Sequence, residues 1–294
     1  MTRYDSRLIT PPSEEEEIYP YRRAWLSVAL ELGTLFGIVL GLYLVTRFIS
    51  IPEGLYQPLN ILIALLPVGI WLIFSWSREA RVPRPRQRLV TIVVIAALVA
   101  NALGLPIIQQ VFQVERWLPL QSAINRIIGY TFSVGLIQAI LMYLIMRYTI
   151  WPDHLRVRLD AVAYGTACAV GYATVVNLDF VLSNATSPDV TAMNVFNQLA
   201  LLSCGGIIIG YGLAEITFNR YPFPLLLAAT IALAAFATGV GIPLIAGFTN
   251  AGISPENPVS SVNPILGVLF ATGLLAGISI IFSFLFDVAE RQET

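Results

Sequence analysis

Residues 78–110 read REARVPRPRQRLVTIVVIAALVANALGLPIIQQ. The opening segment holds Arg78, Arg81, Arg84, Arg86 and Arg88, the densest basic cluster in the chain. From Leu89 to Gln110 there is no charged residue. A helix of about 20 apolar residues, rising 1.5 Å per residue, crosses about 30 Å of hydrocarbon, and 89–110 has that length. Arginines massed beside such a segment mark the cytoplasmic side.

Working outward, comparable stretches lie at roughly 24–46, 57–77, 127–147, 161–182, 194–217, 223–247 and 265–286, which makes eight spans. The expected fold class is an all-α, polytopic transmembrane helical bundle. It comprises a cytoplasmic tail at 1–23, a membrane domain at 24–286 and a short cytoplasmic tail at 287–294. An even count puts both termini on one side. Alternating from the 78–88 cluster, 14 of the 17 arginines fall inside, and only Arg47, Arg116 and Arg126 fall outside. A wrong span count would scramble that partition. The composition agrees, at 56% hydrophobic and 12% charged over 294 residues, with a mean hydropathy of +0.74. Globular chains are about one quarter charged.

The N-terminal residues show no apolar core followed by a cleavage site, so the first span reads as an uncleaved anchor. The run Glu14–Glu17 reads as a solvated tail, with acidic docking as the alternative. The loops near 183–193 and 248–264 are too short and polar to bury a core. Asn184-Ala185-Thr186 fits the glycosylation pattern, a motif short enough to arise by chance.

The inventory of reactive side chains is small. There is no lysine, which excludes Schiff-base chemistry. His154 is the single histidine, and Cys168 and Cys204 are the two cysteines, too few for a haem pair or a conventional zinc site. Neither a cofactor nor a metal is expected. The cysteines read as buried, apolar-like residues. Arginine without lysine points to a GC-rich bacterial genome, and hence to a multi-pass protein of the bacterial plasma membrane.

Small residues mark helix contacts. Gly33, Gly37 and Gly41 form a stripe on span one, Gly206 and Gly210 lie on span six, and Gly273 and Gly277 on span eight. Glycine lets backbones approach closely in lipid. Packing within the chain is the plainer expectation; a partner subunit docking on Gly33–Gly41 is the sharper one. Pro67, Pro106 and Pro243 interrupt spans, but no internal repeat accompanies them, so transport remains a minor reading.

Polar groups at membrane depth are functional candidates, because they are costly unless paired or hydrated. Glu31 lies about two turns inside span one. Glu215 is one turn from Arg220, which reads as an interfacial ion pair. Asp179 is near the outer end of span five. The neutral amides are Asn101, Gln138 and Asn177, the last facing Asn194, Asn197 and Gln198 across the entry to span six.

The stretch Leu159-Asp160-Ala161-Val162-Ala163-Tyr164-Gly165, then Gly171-Tyr172-Ala173 and Val176-Asn177, resembles the second signature of the PrsW-type intramembrane proteases. In that family an Asp opens the segment, Tyr-Gly follows, then a glycine-rich turn and a Glu-Asn pair. The preceding span, Gly135 to Tyr143, sits where the family carries Glu-Glu-x-x-Lys. Gly205 to Ala214 looks like the third segment, a helix usually opened by histidine. The resemblance covers roughly 127–245.

The chemistry is missing at the matching positions. Gln138 and Ala139 stand for the two glutamates, Met142 for the lysine and Val176 for the glutamate before Asn177. Leu202 or a neighbour stands for the histidine, with Thr238 where a second is sought. Activating water needs a carboxylate of raised pKa or a metal, and these side chains supply neither. The resemblance therefore implies a protease fold without protease activity, a pseudoprotease. A non-catalytic scaffold of this kind is the role of the scaffold subunit of γ-secretase in the related superfamily.

Three functions remain open from the sequence. The first is a non-catalytic scaffold or binding subunit with membrane-protein partners and lipids. The second is an active peptidase using relocated groups among Glu31, Asp179 and Glu215. The third is lipid or small-molecule handling around Asn101, Gln138 and Asn177. The cluster Arg78, Arg81, Arg84, Arg86 and Arg88 is a candidate for anionic headgroups, at about 1 kcal/mol per arginine. No nucleic-acid partner is expected.

Overall fold

The computed structural model describes residues 24–48, 51–79, 86, 88–219, 223–249 and 263–291. Eight helices in it are long and apolar enough to cross a membrane, and no strand occurs among the described residues. They are α1 (Ala24–Thr46), α2 (Glu53–Trp76), α3 (Leu89–Trp117), α4 (Ala123–Thr149), α5 (Asp160–Ser183), α6 (Pro188–Phe218), α7 (Leu226–Thr249) and α8 (Pro264–Ala289). The chain is an all-α polytopic bundle. Its outer surface carries Phe48, Leu62, Leu98, Ile280 and Phe284 exposed, which suits lipid and not water. Trp25, Trp76, Trp117 and Trp151 stand at helix ends, where indole rings favour the headgroup level.

The helices are mostly longer than the hydropathy suggests. The largest differences, seven residues each, are α3, which runs on to Trp117, and α6, which begins at Pro188, inside the stretch read as a loop at 183–193. Ser187 is extended, Pro188 occupies the first turn and Asp189 places its charge beside the free amides there. These polar residues lower the hydropathy while favouring a helix start. Most of the 248–264 loop lies outside the described residues, as do both tails apart from 287–291.

A central hairpin of α5 and α6 forms the core. Its hydropathy windows are 67% and 89% buried, against 22–39% for the other six. Backbone contact explains the difference. A Cβ on Gly206 would collide with the carbonyl oxygen of Gly165, and one on Gly165 with that of Gly206. One turn further, Gly210 lies over the Ala161 carbonyl. The remaining helices wrap this pair, with α3 meeting it where Gly171 abuts the Val93 carbonyl.

Among the described residues four π-turns depart from regular helix: Leu72–Trp76 in α2, Ala100–Gly104 and Ile107–Val111 in α3, and Thr131–Gly135 in α4. In α3 the cause is Pro106, which has no N–H to give to the carbonyl four residues back. In α4, Thr131 Oγ1 donates to the Ile127 carbonyl at 2.7 Å and Ser133 Oγ to that of Gly129 at 2.6 Å. Such side-chain bonds compete with the helical ladder and bend it.

Candidate functional site

At the end of the bundle opposite the arginine-rich segment, α3, α4, α5 and α6 part around an open cavity of about 750 Å³. Its mouth carries Glu115, Arg116 and Asn184. Its walls and floor reach Gln138 and Tyr172, and Tyr172 is close to the midpoint of α5. The π-turns run along this opening: α3 contributes Leu105, Ile108 and Gln109, and α4 contributes Tyr130, Val134 and Gln138, with Ile108, Gln109 and Val134 inside the turns themselves. Widened turns of this type are frequent at functional sites.

Most of the polar lining is uncharged. Asp179 Oδ2 accepts a hydrogen bond from Gln109 Nε2 at 2.6 Å. Arg116 Nη1 donates to Gln113 Oε1 at 2.9 Å. Deeper down, the Tyr172 hydroxyl is fully buried with no hydrogen-bond partner, and it rests in the space left by Gly104, where any Cβ would strike it. Asn177 is also fully buried with neither amide atom hydrogen-bonded, but it does not line the cavity, so of the three amides expected around one, Asn101, Gln138 and Asn177, Gln138 alone does.

The sequence-derived positions fall in different places. Gln138 and Val176 both line the cavity. Ala139, Met142 and Leu202 are buried in the core, with Met142 packed against Gly206 of α6, and Thr238 is buried too. Asn194 and Gln198 line the wall. Asn101 does not join them; it is exposed on the bundle surface, because the π-turn that contains it turns it outward. The residues that sequence reasoning passed over are Gln109, Gln113 and Tyr130; Tyr172 entered only as part of the motif. Their signal was available in the glutamines crowding the end of α3.

The three carboxylates proposed for relocated catalysis are not gathered. Asp179 is in the cavity. Glu31 is buried against Thr166 and Ser203 around a small void among α1, α2, α5 and α6. Glu215 is buried at the opposite end, 3.1 Å from Arg158. Arg220, the partner expected from the sequence, lies outside the described residues. Among the described residues no three His, Cys, Asp or Glu side chains gather as a metal-ligand set. Cys168 and Cys204 are fully buried free thiols.

The arginine cluster also divides. Arg86 is buried, its Nε 2.7 Å from Asp160 Oδ1 and its Nη1 paired with Glu79. It is therefore withdrawn from lipid headgroups, because two buried carboxylates need its charge. Arg88 is exposed and donates to the Thr149 carbonyl at 3.0 Å. Arg81, Arg84 and the side chain of Arg78 lie outside the described residues.

The glycine stripes divide in the same way. Gly206 and Gly210 pack within the chain, whereas Cβ atoms on Gly33, Gly37, Gly41, Gly273 and Gly277 would meet nothing within 4 Å. Packing inside the chain is therefore corrected for α1 and α8. Between these two helices runs an open, apolar groove of about 620 Å³ that includes Gly33.

Compared with models of known families, with curated proteins and with solved structures, the chain matches none. The resemblance to PrsW-type proteases rests on the residues quoted for it.

Proposed function

We propose that this chain is a PrsW-like pseudoprotease of the bacterial plasma membrane that binds a polar ligand in an outward-facing vestibule and does not cleave it. The orientation follows from the arginines, which put the cavity on the outer side. One observation carries the reading. Gln138 and Val176, at two positions where the resemblance requires glutamates, line one solvent-open cavity and bring it no acid. A cavity of this size falls in the range of small-molecule sites, about 300–1,000 Å³. Binding persists where the two glutamates of the resemblance are replaced, and the carboxylates that do line the cavity stand apart from those positions, Glu115 at the mouth and Asp179 bonded to Gln109.

The relocated-peptidase alternative is less well supported, since Glu31, Asp179 and Glu215 stand at three separate places and share no cavity. A scaffold role is a second reading. It is favoured by the uncovered glycines of α1 and α8 beside the apolar groove, a surface suited to a partner's transmembrane helix. Crosslinking from position 33 in native membranes tests it, and recovery of the chain alone would count against it.

The vestibule is tested by Gln138→Cys in right-side-out membrane vesicles. The buried Cys168 and Cys204 give a low background. A membrane-impermeant maleimide is expected to label position 138 from outside. Labelling only after permeabilisation would refute an outward opening.

A further inference from the structure

The lining of the vestibule selects a class of ligand. Six amide side chains border it; Gln109, Gln113 and Asn184 already bond to Asp179, to Arg116 and the Gln110 carbonyl, and to the Phe180 carbonyl, which leaves Gln138, Asn194 and Gln198 as the amides facing a ligand. Each amide offers two donors and an acceptor in one plane, and a hydroxyl is likewise donor and acceptor at once. The aromatic rings of Tyr130, Tyr172 and Phe180 share the same walls. Alternating hydroxyl edges and apolar C–H faces are the chemistry of a sugar.

Other ligand classes fit less well. For an anion, Arg116 is the one basic residue lining the cavity among the described residues, it is already bonded to Gln113, and Glu115 and Asp179 outnumber it. For a cation, Asp179 is engaged by Gln109, and Arg116 follows Glu115 directly at the mouth. An extended peptide that binds by strand addition needs a free sheet edge. The described residues contain no strand, and the walls are helical, with backbone groups bonded internally.

We infer that the vestibule binds a neutral, hydroxyl-rich saccharide, free or as a glycolipid headgroup, through the amides of α4 and α6; this rests on the vestibule reading above. The full chain is reconstituted in phosphatidylcholine nanodiscs, avoiding sugar detergents that would occupy the site. Calorimetric titrations use glucose, mannose, N-acetylglucosamine, trehalose and sucrose, with choline, inorganic phosphate and a tetra-alanine amide in parallel. At least one sugar is expected to bind, and Gln138→Leu or Gln198→Leu to weaken it tenfold or more. Gln198 is only half-buried, so its variant reports even where Gln138→Leu fails to fold. Discs doped with monoglucosyl diacylglycerol separate the two sources: loss of the free-sugar heat assigns the site to a headgroup, and its persistence to a free sugar. Binding of choline, phosphate or the peptide without any sugar overturns the saccharide assignment and leaves the vestibule reading standing. Sugar binding unchanged in both variants also overturns the assignment. Absence of binding by every probe removes both.

Discussion

Arg86 Nε lies 2.7 Å from Asp160 Oδ1, and both side chains are buried. Asp160 opens α5, and its Oδ2 accepts the backbone N–H groups of Arg156 and Val157 at 2.9 and 3.1 Å. Glu79 closes on the same guanidinium and also accepts the Arg86 backbone N–H at 2.8 Å. One arginine thus fastens the segment just after α2 to the start of the most enclosed hairpin. The pair Arg158–Glu215 ties the turn before α5 to α6.

Removing one partner of a buried pair strands the other charge, at a cost of about 3–5 kcal/mol. Asp160→Ala and Arg86→Ala are expected to lower unfolding stability by amounts of that order. The double change Arg86→Met with Asp160→Leu leaves Glu79 without its cation. Adding Glu79→Gln is expected to recover part of the loss. Denaturant unfolding in lipid or mild detergent measures this; equal stability of wild type and Asp160→Ala would refute a structural role for the pair.

The two sets of glycines predict opposite outcomes. Gly206→Leu drives a side chain into the Gly165 carbonyl and is expected to cost about 1–3 kcal/mol or more by overpacking. Gly37→Leu meets open space and is expected to leave thermal stability nearly unchanged. Comparable losses in both variants would mean that α1 is covered by the chain itself.

Tyr172 offers a subtler test. Its hydroxyl is buried and unpaired, so Tyr172→Phe removes a polar group that has no internal partner. Unmet hydrogen-bonding groups cost about 1–3 kcal/mol. The Phe variant is expected to be as stable as wild type or more so, and weaker in ligand binding. A clear loss of stability without ligand would reveal a structural hydrogen bond at that oxygen.

Asp179→Asn keeps shape and removes charge. The bond from Gln109 is exposed, so stability is expected to fall by less than about 1 kcal/mol. Charge at the vestibule wall changes by one unit, and labelling of Gln138→Cys by a cationic against an anionic maleimide is expected to shift toward the anionic reagent.

Hydropathy and arginine placement sufficed for the bundle, because lipid forces every spanning segment to satisfy its own backbone as a helix. Eight spans were legible for that reason, as was the enclosure of Cys168 and Cys204. The start of α6 was not, since Pro188 and Asp189 help begin a helix while reading as loop on a hydropathy scale.

The tertiary structure decided everything that depends on which faces meet. Arg86 and Arg88 are two residues apart and alike in chemistry, yet the first is sealed against Asp160, 74 positions on, and the second is exposed. Gly37 and Gly206 are equally small, and only the second touches another backbone. Gln109, Gln138 and Gln198 come from three helices, and the packing of those helices brings them around one cavity. A single helix fixes spacing along its own axis; its rotation and neighbours are set by packing across the bundle, which no local stretch of sequence encodes.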